Sequence, residues 1–273
     1  MIFYYILALL LGLIVGSFLN VAILRYNTGK SLKGRSLCLS CAKQLTWLEL
    51  IPVFSFLRQK GRCRGCNSKI SWQYIAVEIL TAVIFVFIAN VAINIFGGDY
   101  PFASARFFIW NSAIASLLLV IAVYDLRHKI IPDELVYGFM IMAGLTGFIV
   151  HAEIGLTQII WLVHGLFSGA IVFALFWALW HFSHGRLMGF GDAKLVFGIG
   201  LWMGWKPALV ALLIAFVVGA IIGVSLILLS KWKNAPRFLR AYSLKSEIPF
   251  APFLVFGAII SFILTIHATP LVS

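Results

Sequence analysis

Asp125 and Asp192 are the residues in this chain best suited to chemistry. An ionisable group at or inside a membrane span is costly, and such charges mark functional sites. Only nine acidic residues serve all 273 positions. Asp125 ends the apolar run FFIWNSAIASLLLVIAVYD, and Asp192 closes GFGD just ahead of another apolar stretch. Two carboxylates that face each other within a few ångströms cannot easily both ionise, so they share a proton. The charged one then takes a proton from water while the protonated one hydrogen-bonds a scissile carbonyl, which is the chemistry of an aspartyl protease. Glycines before Asp192 permit close approach of an extended substrate backbone, because they lack a Cβ. The competing reading is plain ion pairing, of Asp125 with Arg127 or Lys129 and of Asp192 with Lys194. Asp133 follows Pro132 and precedes an apolar run, so it reads as a helix-start residue placed to suit the dipole.

A second constellation lies in the one substantial polar segment, 25–73, which holds all four cysteines as Cys38-x-x-Cys41 and Cys63-x-x-Cys66. Each C-x-x-C turn points two thiolates at one ion, and two turns complete a tetrahedral four-thiolate site that suits zinc. Such a closed set leaves no open position for catalysis, so the expected role is structural. Lys43, Arg62 and Arg64 lie nearby to offset the thiolate charge. Two disulfides or a redox pair are the weaker readings in a reducing compartment without a βαβ context. The stretch between the turns, AKQLTWLELIPVFSFLRQKGR, is amphipathic and suited to lying along a membrane surface.

The elements that must position these groups are membrane helices. The chain is 62% hydrophobic and 11% charged, with mean hydropathy +1.04, far from the roughly 45–50% apolar and 25% charged usage of soluble domains. Runs of the length needed to span a bilayer predict about eight helices: 2–24, 74–96, 106–124, 135–151, 157–181, 193–206, 208–230 and 252–269. The sixth is short and rich in glycine (Gly198, Gly200, Gly204), which leaves it tilted, broken or re-entrant. The first lacks a basic leader region and a small-residue cleavage site, so it reads as a retained span. The fold class is thus an all-α polytopic membrane protein with a cytoplasmic zinc-binding loop. Its parts are a first transmembrane helix (1–24), the four-cysteine loop domain (25–73) and a multi-helix membrane core (74–273).

Alternating those spans puts 19 of the 21 Lys and Arg residues on one side, with only Arg106 and Lys206 on the other. Basic loops stay cytoplasmic, so both ends of the sequence face away from the cytosol, and both aspartates meet the loop on the cytosolic side. The net charge of +12 is therefore a topology signal and an affinity for anionic headgroups, not a nucleic-acid footprint.

Five segments resemble, in the right order, the type IV prepilin peptidases, bacterial leader peptidases of the GxGD aspartyl protease class. They are GSFLNVAILR (16–25), ELIPVFSFLRQKGRCRGCNSKISWQYIAVE (49–78), DLRHKIIPD, GFGDAKL and EIPFAPFL (247–254). Ala251 is one departure, standing where the family pattern leads us to expect glycine. The resemblance covers nearly the whole chain. It implies an inner-membrane enzyme that cuts the basic leader from type IV prepilins or pseudopilins after a glycine, at the cytosolic membrane face. It also implies Asp125 and Asp192 as the catalytic pair, and Cys38, Cys41, Cys63 and Cys66 as metal ligands. Many such enzymes then methylate the new N-terminal amine with S-adenosylmethionine. No glycine-rich nucleotide loop marks that site here, so methylation rests on the resemblance alone.

Two other readings remain at this stage. A presenilin-like intramembrane protease shares Tyr124-Asp125 and the Gly-x-Gly-Asp pattern but lacks a four-cysteine loop. A proton-coupled transporter would show paired repeats with interrupted helices, and no internal repeat is evident. Among the remaining polar residues, Asn20 reads as interhelical packing beside Gly12, Gly16 and Ser17, and Glu78 as a partner for the basic loop. Asn111, His164 and His181 read as satisfied interhelical groups, and His184 and Arg186 as interfacial. Trp47, Trp72, Trp110, Trp161, Trp202 and Trp205 read as interfacial belts.

Overall fold

The structure is a computed structural model that describes residues 2–29, 31, 34–96, 100–150, 157–231 and 248–268. Among these residues it is all-helical, with two isolated antiparallel bridges and no strand. The helices are α1 (Ile2–Arg25), α2 (Phe54–Arg58), α3 (Trp72–Phe96), α4 (Pro101–His128), α5 (Asp133–Val150), α6 (Thr157–Ser183), α7 (Phe190–Met203), α8 (Trp205–Ser230) and α9 (Ala251–Ala268), with a single 3-10 turn at Trp47–Glu49. Six of them, α1, α3, α4, α5, α6 and α8, are long and apolar enough to cross a membrane. The other two expected spans are shorter: α7 has 14 residues, and the apolar part of α9 runs Ala251–Thr265.

The expected edges hold to within a few residues, and the shifts have physical causes. Helix α4 starts earlier and ends later than 106–124, because Pro101 suits a first helical position and the chain turns only at Lys129, in the left-handed region at φ 54°. Asp125 therefore lies inside α4. The sixth span moves three residues toward the N-terminus, so Asp192 falls in the first turn of α7. Its end is set by Gly204 at φ 81°, a conformation that costs glycine little. Pro207, at the third position of α8, is tolerated there because first-turn N–H groups have no helical partner anyway.

The chain divides into two compact units, residues 1–120 and 121–273, with the boundary inside α4. In the first unit α1 lies along α3. A Cβ at Gly12 would sit 2.5 Å from Ala82 Cα, and one at Gly16 would sit 2.7 Å from Glu78 Cα. These glycines let the two backbones approach closely, as small residues do between membrane helices. Asn20 is fully buried there and donates to the carbonyls of Gly16 and Tyr74, which bears out its packing role.

In the second unit α7 is the central element, touching α5, α6, α8 and α9. Its glycines do not break it. Gly198 faces the Phe139 ring of α5, and Gly200 meets Gly169 and Val172 of α6. Trp202, expected in an interfacial belt, is instead buried and stacked on Phe262 at 4.7 Å between ring centroids. A Cβ at Gly200 would fall 2.8 Å from the Gly169 Cα, whereas one at Gly144 would meet only side chains at 3.7 Å. Overpacking of that kind costs about 1–3 kcal/mol. We therefore expect Gly200→Ala to lower the thermal midpoint in detergent clearly and Gly144→Ala to leave it near or above that of the parent.

Candidate active site and metal centre

Both aspartates lie in the second unit and are nearly buried, at 4% exposure for Asp125 and 8% for Asp192. Asp125 sits one turn before the end of α4, and Asp192 in the first turn of α7, where the helix dipole favours negative charge. Their carboxylates are close enough for the charge on one to act on the other. Asp125 Oδ2 accepts a hydrogen bond of 3.2 Å from the Ala251 backbone N–H. That amide opens α9 and would otherwise be one of the partnerless N–H groups of a helix start. Asp192 Oδ1 is buried with no hydrogen-bond partner, leaving an acceptor free for an incoming group. A Cβ at Gly189 would meet Asp192 Oδ2 at 3.4 Å, and one at Gly191 would meet Ile131 Cβ at 3.0 Å, so both glycines keep the approach to Asp192 narrow and open.

Lys194 does not neutralise Asp192. Its ammonium lies 2.8 Å from both oxygens of Asp133 and over the rings of Tyr137 and Phe190. The helix-start reading of Asp133 holds, since it opens α5, and the residue gains a second partner that sequence spacing did not suggest. Asp133 is half exposed, so this pair contributes little to stability. Its consequence for the site is that the lysine two residues on from Asp192 is held by Asp133 instead.

The chain matches the family model described as "Bacterial Peptidase A24 N-terminal domain" over residues 10–92 and that described as "Type IV leader peptidase family" over residues 112–224. It is 31% identical to the prepilin leader peptidase/N-methyltransferase of Aeromonas salmonicida (strain A449), across 92% of this chain and 87% of the relative. The protein of the same name from Bacillus subtilis (strain 168) is 31% identical across 92% of this chain and 91% of its own length. This chain belongs to the type IV leader peptidase family. The relative from Myxococcus xanthus (strain DK1622) is 34% identical over 83% of this chain. No solved structure matches. Family membership makes the chain a membrane peptidase, and neither the presenilin-like nor the transporter reading gains support.

The leader-peptidase cysteine loop belongs to the first unit. All four cysteines are free thiols, and their Sγ atoms lie within 4.8 Å of one another, with Cys38 and Cys66 at 3.9 Å. A tetrahedral zinc with Zn–S near 2.3 Å needs sulfurs about 3.8 Å apart, so the four residues fit such an ion. The two C-x-x-C turns are copies of each other, a repeat that sequence reading missed because only the cysteines recur at matching positions. Cys38 N–H donates to Lys43 O and Cys63 N–H to Ser68 O, each at 2.9 Å, and Ala42 N–H and Asn67 N–H close each turn on the first cysteine's carbonyl. Ala42 and Asn67 take the same left-handed conformation, and the bridges Leu37–Gln44 and Arg62–Lys69 flank each turn. Backbone amides of Cys41 and Ser40 bring the Cys38 thiol down to about 6, and the Ser68 hydroxyl lowers Cys66. Both effects favour the thiolate that a metal requires, while the neighbouring Cys66 and Cys38 sulfurs push Cys41 up to about 11.

Two polar residues hold the loop in place. Thr46 N–H and hydroxyl both donate to Glu49, which also pairs with Lys43 at 3.5 Å. Glu78 partners the basic loop as expected, through the backbone: it accepts the Val53 N–H at 2.7 Å. Val53 sits at φ 60°, an unusual conformation for a β-branched residue, so only the folded loop could reveal this contact. Ala251 was noted in sequence for its departure from the family pattern, not for its amide. The signal for a helix start was the adjacent Pro252.

Proposed function

We propose that this enzyme removes the basic leader from type IV prepilins or pseudopilins at the cytosolic face of the inner membrane, with Asp125 and Asp192 as the catalytic pair. The observation that carries this reading is two buried carboxylates near enough for their charges to interact, one held by a helix-start amide and the other with a free acceptor oxygen. The pair shares one proton. Its ionised member takes a proton from water, whose oxygen attacks the scissile carbonyl, while the protonated member hydrogen-bonds the carbonyl oxygen as negative charge develops there. The proton then passes to the leaving amine, which restores the shared state. Residues 1–24 form the first span, 25–73 a cytosolic loop domain and 74–273 the membrane core, with α7 and α9 completing eight spans and both ends of the sequence facing away from the cytosol.

Cys38, Cys41, Cys63 and Cys66 would hold zinc, which would fix the loop and take no part in cleavage. Methylation of the new N-terminal amine with S-adenosylmethionine is the second activity, supported by the names of the relatives. Partners are then the pilin-type substrate and the bilayer, not nucleic acid. The test is to co-express the chain with a prepilin carrying a basic leader and to weigh the product. Loss of the leader supports the peptidase, and a gain of one methyl on the mature N-terminus supports the transferase. An intact leader would overturn the first reading, and an unmethylated product the second.

A further inference from the structure

We propose that the cysteine loop docks an apolar face on an anionic phospholipid surface. Large hydrophobic side chains are usually the first to be buried, yet several of the loop's are exposed. Trp47 is 73% exposed, Leu57 is 62% exposed, and Phe54, Leu50 and Leu39 are exposed with them. Trp47 opens the 3-10 turn that Leu50 closes, and Phe54 and Leu57 lie three apart on α2, which packs on that turn. Phe56 points the other way, buried against Gly61 and Trp72. The outward cluster is therefore not the loop's own core.

Charge selects the occupant. Between residues 25 and 73 the sequence has ten Lys and Arg and a single acid, Glu49. Glu49 is buried and already engaged by Thr46 and Lys43, so the loop presents no free carboxylate. Arg58 and Lys60, both exposed, directly follow the outward Phe54 and Leu57. Long basic side chains lay their stems on an apolar surface and reach up to phosphate, and each basic residue near an anionic leaflet contributes about 1 kcal/mol. Tethering supplies the rest. The loop leaves α1 at Arg25 and enters α3 at Trp72, and both helices are candidate spans. The face is thus confined to the neighbourhood of headgroups, where tryptophan rings settle. This placement stands independently of the assignment of the aspartates.

The experiment uses the full chain in nanodiscs of phosphatidylcholine, with or without phosphatidylglycerol, the lipids being brominated high on their acyl chains. Subtracting the fluorescence of Trp47→Phe from that of the parent isolates Trp47. Bromine is expected to quench that difference signal by about half or more. Quenching should be deeper with phosphatidylglycerol, and Arg58→Gln with Lys60→Gln should remove the dependence on that lipid. Bound zinc and melting behaviour report that each variant is folded. A Trp47 signal untouched by bromine but fully quenched by aqueous iodide would overturn the proposal. So would loop-to-loop cross-links between two copies without lipid quenching, and equal quenching in both lipid mixtures would overturn the anionic preference.

Discussion

Asp125→Asn and Asp192→Asn are each expected to lower leader removal by about 10²–10⁴-fold, the usual contribution of a positioned acid or base. Each change keeps the size of the side chain, and at position 125 the amide oxygen can still accept the Ala251 N–H, so folding and insertion should be preserved. Mass analysis of a co-expressed prepilin reads the loss, and an unchanged tryptic pattern of the enzyme reads its fold. Wild-type processing by either variant would remove that residue from the mechanism. A third variant isolates the amide. Ala251→Pro deletes the N–H at a position where proline suits a helix start. Losing a hydrogen bond to a charged group costs about 1.5–3 kcal/mol, so cleavage should fall between about 10- and 100-fold while α9 stays intact.

The second large effect concerns the metal centre. Cys63 is the most buried of the four thiols, at 6% exposure, and Cys63→Ser removes one ligand from a closed set. Structural zinc sites in small folded units contribute about 10–16 kcal/mol of apparent binding at neutral pH. Losing a quarter of the ligands should empty the site. The expected outcome is zinc content falling from about one ion per chain to none, with residues between α1 and α3 becoming sensitive to protease. Helix content by circular dichroism should barely change, because α1 and α3 are held by each other. A strong chelator should reproduce the variant. Full zinc retention and a resistant loop after either treatment would refute the metal assignment.

What sequence could show, and what it could not, divides along physical lines. Hydropathy reports where helices run, because burial in lipid demands long apolar stretches, and it placed α1, α3 and α8 within a few residues. It could not report that α4 passes Asp125 or that α7 stops at Met203, since those edges are set by the backbone conformations at Lys129 and Gly204. The cysteine cluster was legible because thiolate spacing is local chemistry. The amide of Ala251 and the partner of Lys194 were not, because those contacts join positions 126 and 61 residues apart. The glycines of α7 could be read either as weakness or as contact, and only the neighbours Phe139 and Gly169 decide for contact.

The duplicated cysteine turns carry a consequence for how the loop assembles. Each turn closes over a few residues through its own backbone bonds, whereas joining Cys38 to Cys63 closes 25 positions. By chain statistics the longer closure costs about 1.6 kcal/mol more. Each C-x-x-C turn would therefore be the cheaper half of the site to form, and both turns together would supply the four thiolates that hold zinc. Assembly of the loop around a metal would then turn on bringing the two halves together.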